Sequence, residues 1–192
     1  DLQFAVAPIL GKDSLNGIEI LSRETNLTRR IAMQRNDKTK KAGQTLRYAV
    51  LAGLAGGFAE MLWIALYASL TSGSSVEVAR QVAATLFQPA AALPAAPALG
   101  IAIHLALSIA LAVIFVRFIW IPFANPLAGG ASVIITVAAL IVVWAVNFLV
   151  VLPVVNPSFV TLMPYEITLV SKALFGAAMA WSLRKNIVPR LT

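Results

Sequence analysis

Five polar side chains capable of acid–base or hydrogen-bonding chemistry lie within long apolar stretches of this sequence. They are two carboxylates, an amine, an imidazole and an amide: Glu60, Glu166, Lys172, His104 and Asn147. A charged residue near the centre of a membrane helix costs about 2.5–3.5 kcal/mol on insertion scales, so such residues usually pair with each other or turn away from lipid. These positions are therefore the candidates for chemistry.

Glu60 and Lys172 carry opposite charges and fall at similar depths in their predicted helices. Counted at ~1.5 Å per residue from the inner helix ends, Glu60 lies at ~21 Å and Lys172 at ~16 Å. The two side chains can meet if the helices touch. The sequence therefore predicts an ion pair inside the membrane.

The other three polar positions, His104, Asn147 and Glu166, are predicted to converge with Glu60 on the outer half of the same region. One interpretation is a proton or ligand site, because histidine titrates near neutral pH and carboxylates can relay protons. Another is that His104 binds a haem or pigment whose second ligand comes from elsewhere. A third is hydrogen bonding between helices, worth about 0.6 kcal/mol for each bond.

The composition is that of an integral membrane protein. Hydrophobic residues make up 59% of the 192 positions and charged residues only 12%, whereas soluble domains carry about 25% charged residues. The chain has no cysteine and one histidine, which excludes thiolate sites, disulfides and intrachain bis-histidine sites. No phosphate-binding loop, serine nucleophile elbow or zinc-protease motif occurs. We therefore expect no enzymatic activity and no required metal or cofactor.

Apolar runs long enough to cross a ~30 Å bilayer core, which needs ~20 residues, occur four times. They span residues 46–70, 98–120, 129–152 and 164–183. Short, proline-broken connectors predict antiparallel neighbours. Between the first two runs, residues 75–88 have a capping box and helical apolar spacing, which predicts an amphipathic helix on the outer face. The predicted fold is an all-α, four-span antiparallel bundle with this interfacial helix.

Basic residues predict the orientation of the chain. Residues 1–45, in which we predict at most a short helix beginning near Asp13, hold a dense basic cluster, and more basic residues occur in the tail, 184–192. Positive charge beside membrane helices favours the cytoplasmic side, so we predict both termini in the cytoplasm, in a bacterial inner (plasma) membrane. A subset of the cluster is also a candidate for contact with anionic lipid or an acidic partner: Arg29, Arg30, Lys40 and Lys41.

Small residues recur at four-residue spacing within the predicted spans, a pattern that lets helices approach closely. The candidate packing positions are Ala49, Gly53, Gly57, Ala102, Ala106 and Gly176. Their neighbour is either another helix of the same bundle or a helix of a second protein.

These features favour an accessory or structural subunit, or assembly partner, of a larger membrane complex. The expected partners are membrane lipids and other membrane subunits, with a homo-oligomer as a further option and no role for nucleic acid. The alternative is a small oligomeric proton-coupled transporter or channel whose path uses Glu60, His104, Asn147 and Lys172.

Overall fold

The computed structural model describes residues 12–124, Leu127 and residues 130–186, except for the side chains of residues 12–24 and Thr28. Within these residues the chain forms helices and connecting turns and contains no strand. The prediction of an all-α protein is therefore confirmed. The chain divides into two units, Asp1–Gln44 and Thr45–Thr192, and the cavity and the polar side chains beside it lie in the second.

The first helix, α1, covers Lys12–Leu70 and is much longer than the predicted span. Residues 25–45 contain no proline and a single glycine, Gly43, so nothing in them breaks a helix. The prediction of only a short helix in the basic segment is therefore wrong. The predicted cap near Asp13 lies outside the described side chains.

Helix α2, Ser75–Leu86, begins where the capping box predicts. The Ser74 hydroxyl accepts the backbone N–H of Glu77 at 3.3 Å, and Phe87 is the C-cap residue of the helix. A 3-10 turn, Gln88–Ala92, follows. Arg80 stabilises this turn by donating from Nη1 to the carbonyl oxygen of Ala91 at 2.7 Å.

The next two long helices both change from α to π geometry near one end. Helix α3, Ala96–Phe115, continues as a π-helix through Val116–Ala124, and α4, Ala131–Val146, continues as a π-helix through Asn147–Val151. Because α3 continues to Ala124, the helix extends beyond residue 120, where the second span was predicted to end. Membrane helices tolerate a proline such as Pro122 because local π adjustments satisfy the freed backbone groups.

Two short helices lie in the region of the proline-broken connector predicted between the third and fourth apolar runs: α5, Leu152–Val155, and α6, Pro157–Leu162. The Asn156 side chain begins α6 by accepting the backbone N–H of Phe159 at 3.2 Å. The last helix is α7, Tyr165–Asn186.

Three helical segments in the described part of the chain are long and apolar enough to cross a membrane: Thr25–Leu70, Ala96–Ala124 and Ala131–Val155. The structure therefore supports a membrane protein with transmembrane helices. Helix α7 is 22 residues long but is not one of these three segments. It contains Glu166 and Lys172 and has Arg184 and Lys185 in its last turn.

The close-packed part of the second unit is an apolar cluster with contributions from α1, α3, α4 and α7. We call it the packed core. It consists of Ala49, Ala52, Ala112, Phe115, Val116, Trp120, Ala124, Leu140, Phe175, Met179, Ala180 and Leu183. Most of these residues are alanine or have simple apolar side chains, which fill the space between closely spaced helices.

Candidate functional site

Glycines on α1 bring Glu60 to the junction of three helices. A Cβ atom added at Gly53 would lie 2.7 Å from the Ile109 Cα atom of α3, and one at Gly56 would lie 2.8 Å from the Phe175 ring of α7. Such close approach requires residues without side chains. Because Glu60 is only one turn further along α1, its carboxylate also lies between α3 and α7.

Glu60 and Lys172, which the sequence predicted to pair, form an ion pair in the structure. Lys172 donates from Nζ to Glu60 Oε2 at 2.8 Å. The side chains of Lys172 and Glu60 are only 13% and 12% exposed. The ammonium group also lies 5.0 Å from the centre of the Phe175 ring, a favourable cation–π geometry.

A hydroxyl group completes the hydrogen bonding of the carboxylate. Ser171 Oγ lies 3.0 Å from Glu60 Oε1 and 2.8 Å from the carbonyl oxygen of Thr168, so its single proton serves these two acceptors. Glu60 thus has a partner on each oxygen. Full pairing is what a carboxylate in a low-dielectric region needs.

His104 lies beside the same carboxylate. Its Nε2 atom is 3.9 Å from Glu60 Oε2 and 3.4 Å from the carbonyl oxygen of Gly57. A carbonyl oxygen can only accept, so we assign the imidazole proton to Nε2. We use the name polar cluster for Glu60, His104, Ser171 and Lys172.

A cavity of about 400 Å³ adjoins the polar cluster, and every residue of the cluster lines it. Its other walls are mainly apolar and come from α1, α2, α3 and the segment between α4 and α7. Small-molecule sites have about this volume, apolar walls and a few placed polar groups. The arrangement can therefore bind a small molecule, and the cluster supplies both charges and a titratable ring.

Asn147 also lines the cavity. It is the first residue of the π-helical segment of α4, and such segments occur frequently at functional sites. Its side-chain amide forms no hydrogen bond with any residue that the structure describes. Two donors and an acceptor are therefore available at the cavity wall.

Helix α2 forms one wall of the cavity and is held there by Asn156. The amide nitrogen of Asn156 donates to the carbonyl oxygen of Gln81 at 3.0 Å and to Thr85 Oγ1 at 3.0 Å. Asn156 is fully buried. On the other side, α2 packs so closely on α3 that a side chain at Gly100 would collide with the Ala79 carbonyl group.

Several predicted positions do not join this site. Glu166 is exposed and does not line the cavity, which corrects the prediction that it converges with Glu60. Ala102 and Ala106 are exposed on α3, so they do not pack inside the chain. In contrast, Ala49, Gly53 and Gly57 are buried, and a Cβ atom at Gly176 would lie 3.1 Å from the Cα atom of Val137 in α4.

The basic candidates on α1 belong to the first unit and are exposed: Arg29, Arg30, Lys40 and Lys41. Exposure is compatible with contact to anionic headgroups or an acidic partner. Such contact stays a prediction.

Sequence reasoning missed four residues around the site: Ser171, Thr168, Trp144 and Asn156. Trp144 donates from Nε1 to Thr168 Oγ1 at 3.0 Å, so this tryptophan inside an apolar helix has a buried partner. One face of α7 carries Thr168, Ser171 and Phe175 at helical spacing. Lys172 directly follows Ser171 in the sequence. This spacing was the available signal for the two hydroxyl groups.

No cluster of three or more His, Asp or Glu side chains suited to a metal ion occurs within the described ranges. Binding of a pigment or haem by His104 stays a prediction, with Nδ1 as the ring nitrogen that has no partner among the described residues. The chain matches no protein-family model, and neither the curated proteins nor the solved structures gave a match.

Proposed function

We propose that this chain is a small membrane transport protein that binds its solute in the cavity beside the polar cluster. The observation that carries the proposal is the position of the Glu60–Lys172 ion pair. The pair is only slightly exposed, yet it borders a space of about 400 Å³. Ionisable residues inside membrane segments most often serve substrate or proton pathways.

Stability alone does not account for this arrangement. Replacing a buried ion pair by apolar residues of similar volume is often neutral or stabilising, so the pair is weak support for a purely structural role. His104 adds a second proton-binding group 3.9 Å from Glu60 Oε2. Together the two groups can couple proton movement to solute binding.

Transport can be tested with the purified full chain in liposomes that contain a pH-sensitive dye. We expect proton or solute flux above that of protein-free liposomes, with strong loss in Glu60→Gln and Asn147→Leu. Glu166→Gln makes the same change of residue type outside the cavity and should retain the flux. Absence of flux under every imposed gradient would reject the proposal.

The transport proposal includes a topology of four spans in a bacterial inner membrane, with α7 as the fourth span and both termini on the cytoplasmic side. Since the chain has no cysteine, single cysteines report their side of the membrane without background. Lys38→Cys and Lys185→Cys should react only from the cytoplasmic side, and Ser72→Cys only from the opposite side. If Lys38→Cys and Lys185→Cys are labelled from opposite sides of the membrane, the number of spans is odd. The four-span topology would then be replaced by one of three spans.

An accessory role in a larger membrane complex is the second candidate, and one surface favours it. Ala102 and Ala106 belong to an exposed stripe on α3 that also includes Ala98 and Ala110, and small residues allow a neighbouring helix to approach. A stable partner or second copy should then co-purify in mild detergent. Ala102→Leu should release it, whereas Val143→Leu, at an exposed position of α4, should not. A well-behaved monomer would count against this role.

A further inference from the structure

We propose that the cavity binds a monocarboxylic acid with an apolar tail and takes it up together with one proton. This inference rests on the proposed function, because it names the chemical class of the solute for the same cavity. It follows from the apolar walls, the unused hydrogen-bonding groups and the net charge of the polar cluster.

The apolar walls and the volume of the cavity favour a ligand with an apolar tail of limited size. Away from the polar cluster the lining includes Ile64, Val82, Leu107 and Phe159. The volume of about 400 Å³, at roughly 30 Å³ for each water-sized group, accommodates about a dozen non-hydrogen atoms. A carboxylic acid of about ten carbons has this size.

The polar end of the cavity offers donors to a carboxylate. The Lys172 ammonium group has three protons, and Glu60 Oε2 accepts only one of them at 2.8 Å. The Asn147 amide, which also lines the cavity, adds N–H donors that no described residue uses. Lys172 and Asn147 therefore both offer donors to a carboxylate in the cavity.

His104 provides the place for the proton. With Nε2 donating towards Gly57 O, Nδ1 keeps a lone pair, and His104 lines the cavity. When the acid binds, its O–H bond breaks and an N–H bond forms at Nδ1, so the ligand becomes a carboxylate and the ring an imidazolium. Glu60, 3.9 Å from Nε2, stabilises the new positive charge.

The charge balance favours an acid that carries its proton over other amphiphiles. Among the residues that the structure describes, the ionisable side chains that line the cavity are Glu60 on α1, His104 on α3 and Lys172 on α7. Helices α2 and α4 contribute uncharged residues. The ion pair is neutral, so a ligand that adds net charge has a large desolvation cost. An acid with its proton adds none, whereas an ammonium ligand adds positive charge beside Lys172.

The test uses the full chain in nanodiscs of zwitterionic lipid and a photoactivatable, diazirine-bearing decanoic acid. Saturable labelling should map to α2 and α3 around Val82 and Leu107. Decanoic acid should compete about tenfold better than decan-1-ol or decylamine at equal membrane-bound concentrations, equivalent to ~1.4 kcal/mol. Calorimetric titration in two buffers of different ionisation enthalpy should show uptake of one proton per bound carboxylate.

Variants separate the two parts of the inference. His104→Gln removes the titratable ring and should abolish both the advantage of the acid and the proton uptake. Asn147→Leu breaks no hydrogen bond of the described chain, so it should fold normally and weaken competition by decanoic acid about tenfold, ~1.4 kcal/mol. Glu166→Gln, outside the cavity, should behave as the unmodified chain.

The outcomes distinguish this inference from the proposed function. Equal competition by the acid, the alcohol and the amine, or acid binding without proton uptake, would overturn the carboxylic-acid assignment while the cavity remains a binding site. Absence of saturable labelling by diazirine probes with all three head groups would overturn both. Unchanged competition in Asn147→Leu would also contradict the assignment.

Discussion

The packed core and the cavity use the same four long helices in opposite ways. In the packed core, Leu140 and Leu183 are completely buried among small and apolar neighbours. Beside the cavity, Glu60, His104 and Lys172 face a space of about 400 Å³. Helix α2, held by Asn156, forms one of its walls.

The difference shows how packed helices keep a space open. Glycines on α1 bring the helices together at Gly53 and Gly56, which holds them close on one side of the polar cluster. Beyond it, larger side chains and the added helix α2 surround the cavity. The close helix contacts therefore position the polar cluster beside the cavity, although close packing does not itself require a cavity. Substitutions in the two regions should consequently have different effects.

The largest effect should come from breaking the ion pair beside the cavity. Lys172→Met leaves the Glu60 carboxylate without its cationic partner, and loss of one member of a buried pair costs about 3–5 kcal/mol. Reversible unfolding in mixed detergent should show this loss. The double variant Glu60→Gln/Lys172→Met should recover most of the stability, and Lys185→Met should have little effect. A double variant as unstable as Lys172→Met would contradict the pairing.

A cavity created in the packed core should rank second. Leu140 is fully buried, so Leu140→Ala should cost about 2–3 kcal/mol of unfolding free energy, the lower part of the range for soluble cores, because lipid is as apolar as leucine. Leu107→Ala only enlarges an existing space and should cost much less. Equal losses measured by the same unfolding assay would remove the distinction between the two regions.

A matched pair of glycines tests the close contact that positions Glu60. A Cβ atom at Gly53 would lie 2.7 Å from the Ile109 Cα atom, whereas one at Gly43 would have nothing within 4 Å. Gly53→Ala should therefore cost about 1–2 kcal/mol through overpacking. Gly43→Ala should be neutral or stabilise α1 by up to ~1 kcal/mol. Thermal unfolding of both variants gives the comparison, and a stabilised Gly53→Ala would disagree with this helix contact.

The smallest effect should come from a single hydrogen bond between helices. Trp63 donates from Nε1 to the carbonyl oxygen of Ile167 at 3.1 Å. Trp63→Phe keeps an aromatic ring and removes the donor, so the expected cost is about 0.6 kcal/mol. Exposed Trp181 supplies the control variant, Trp181→Phe. A cost above that of Leu140→Ala in the unfolding assay would indicate that Trp63 has a further structural role.

Apolar length and periodicity predicted most of the helices but not all of their ends. The start of α2 at Ser75 was predictable because the capping residues are local. The continuation of α3 to Ala124 was not, because a proline usually ends a helix in water. Likewise, Glu166 has the same side chain as Glu60 but lies at an exposed position in the first turn of α7, which the residue type does not reveal.

The sequence by itself determined that the chain is helical, that it contains membrane-spanning segments and that Glu60 and Lys172 require partners. These properties follow from hydropathy, local capping and the cost of isolated charge in lipid. Only the tertiary structure decided which side chains meet. The cavity, the position of Asn147 at its wall and the attachment of α2 through Asn156 depend on contacts between residues far apart in the chain. Helix spacing, which is set by how closely small residues let backbones approach, controls those contacts.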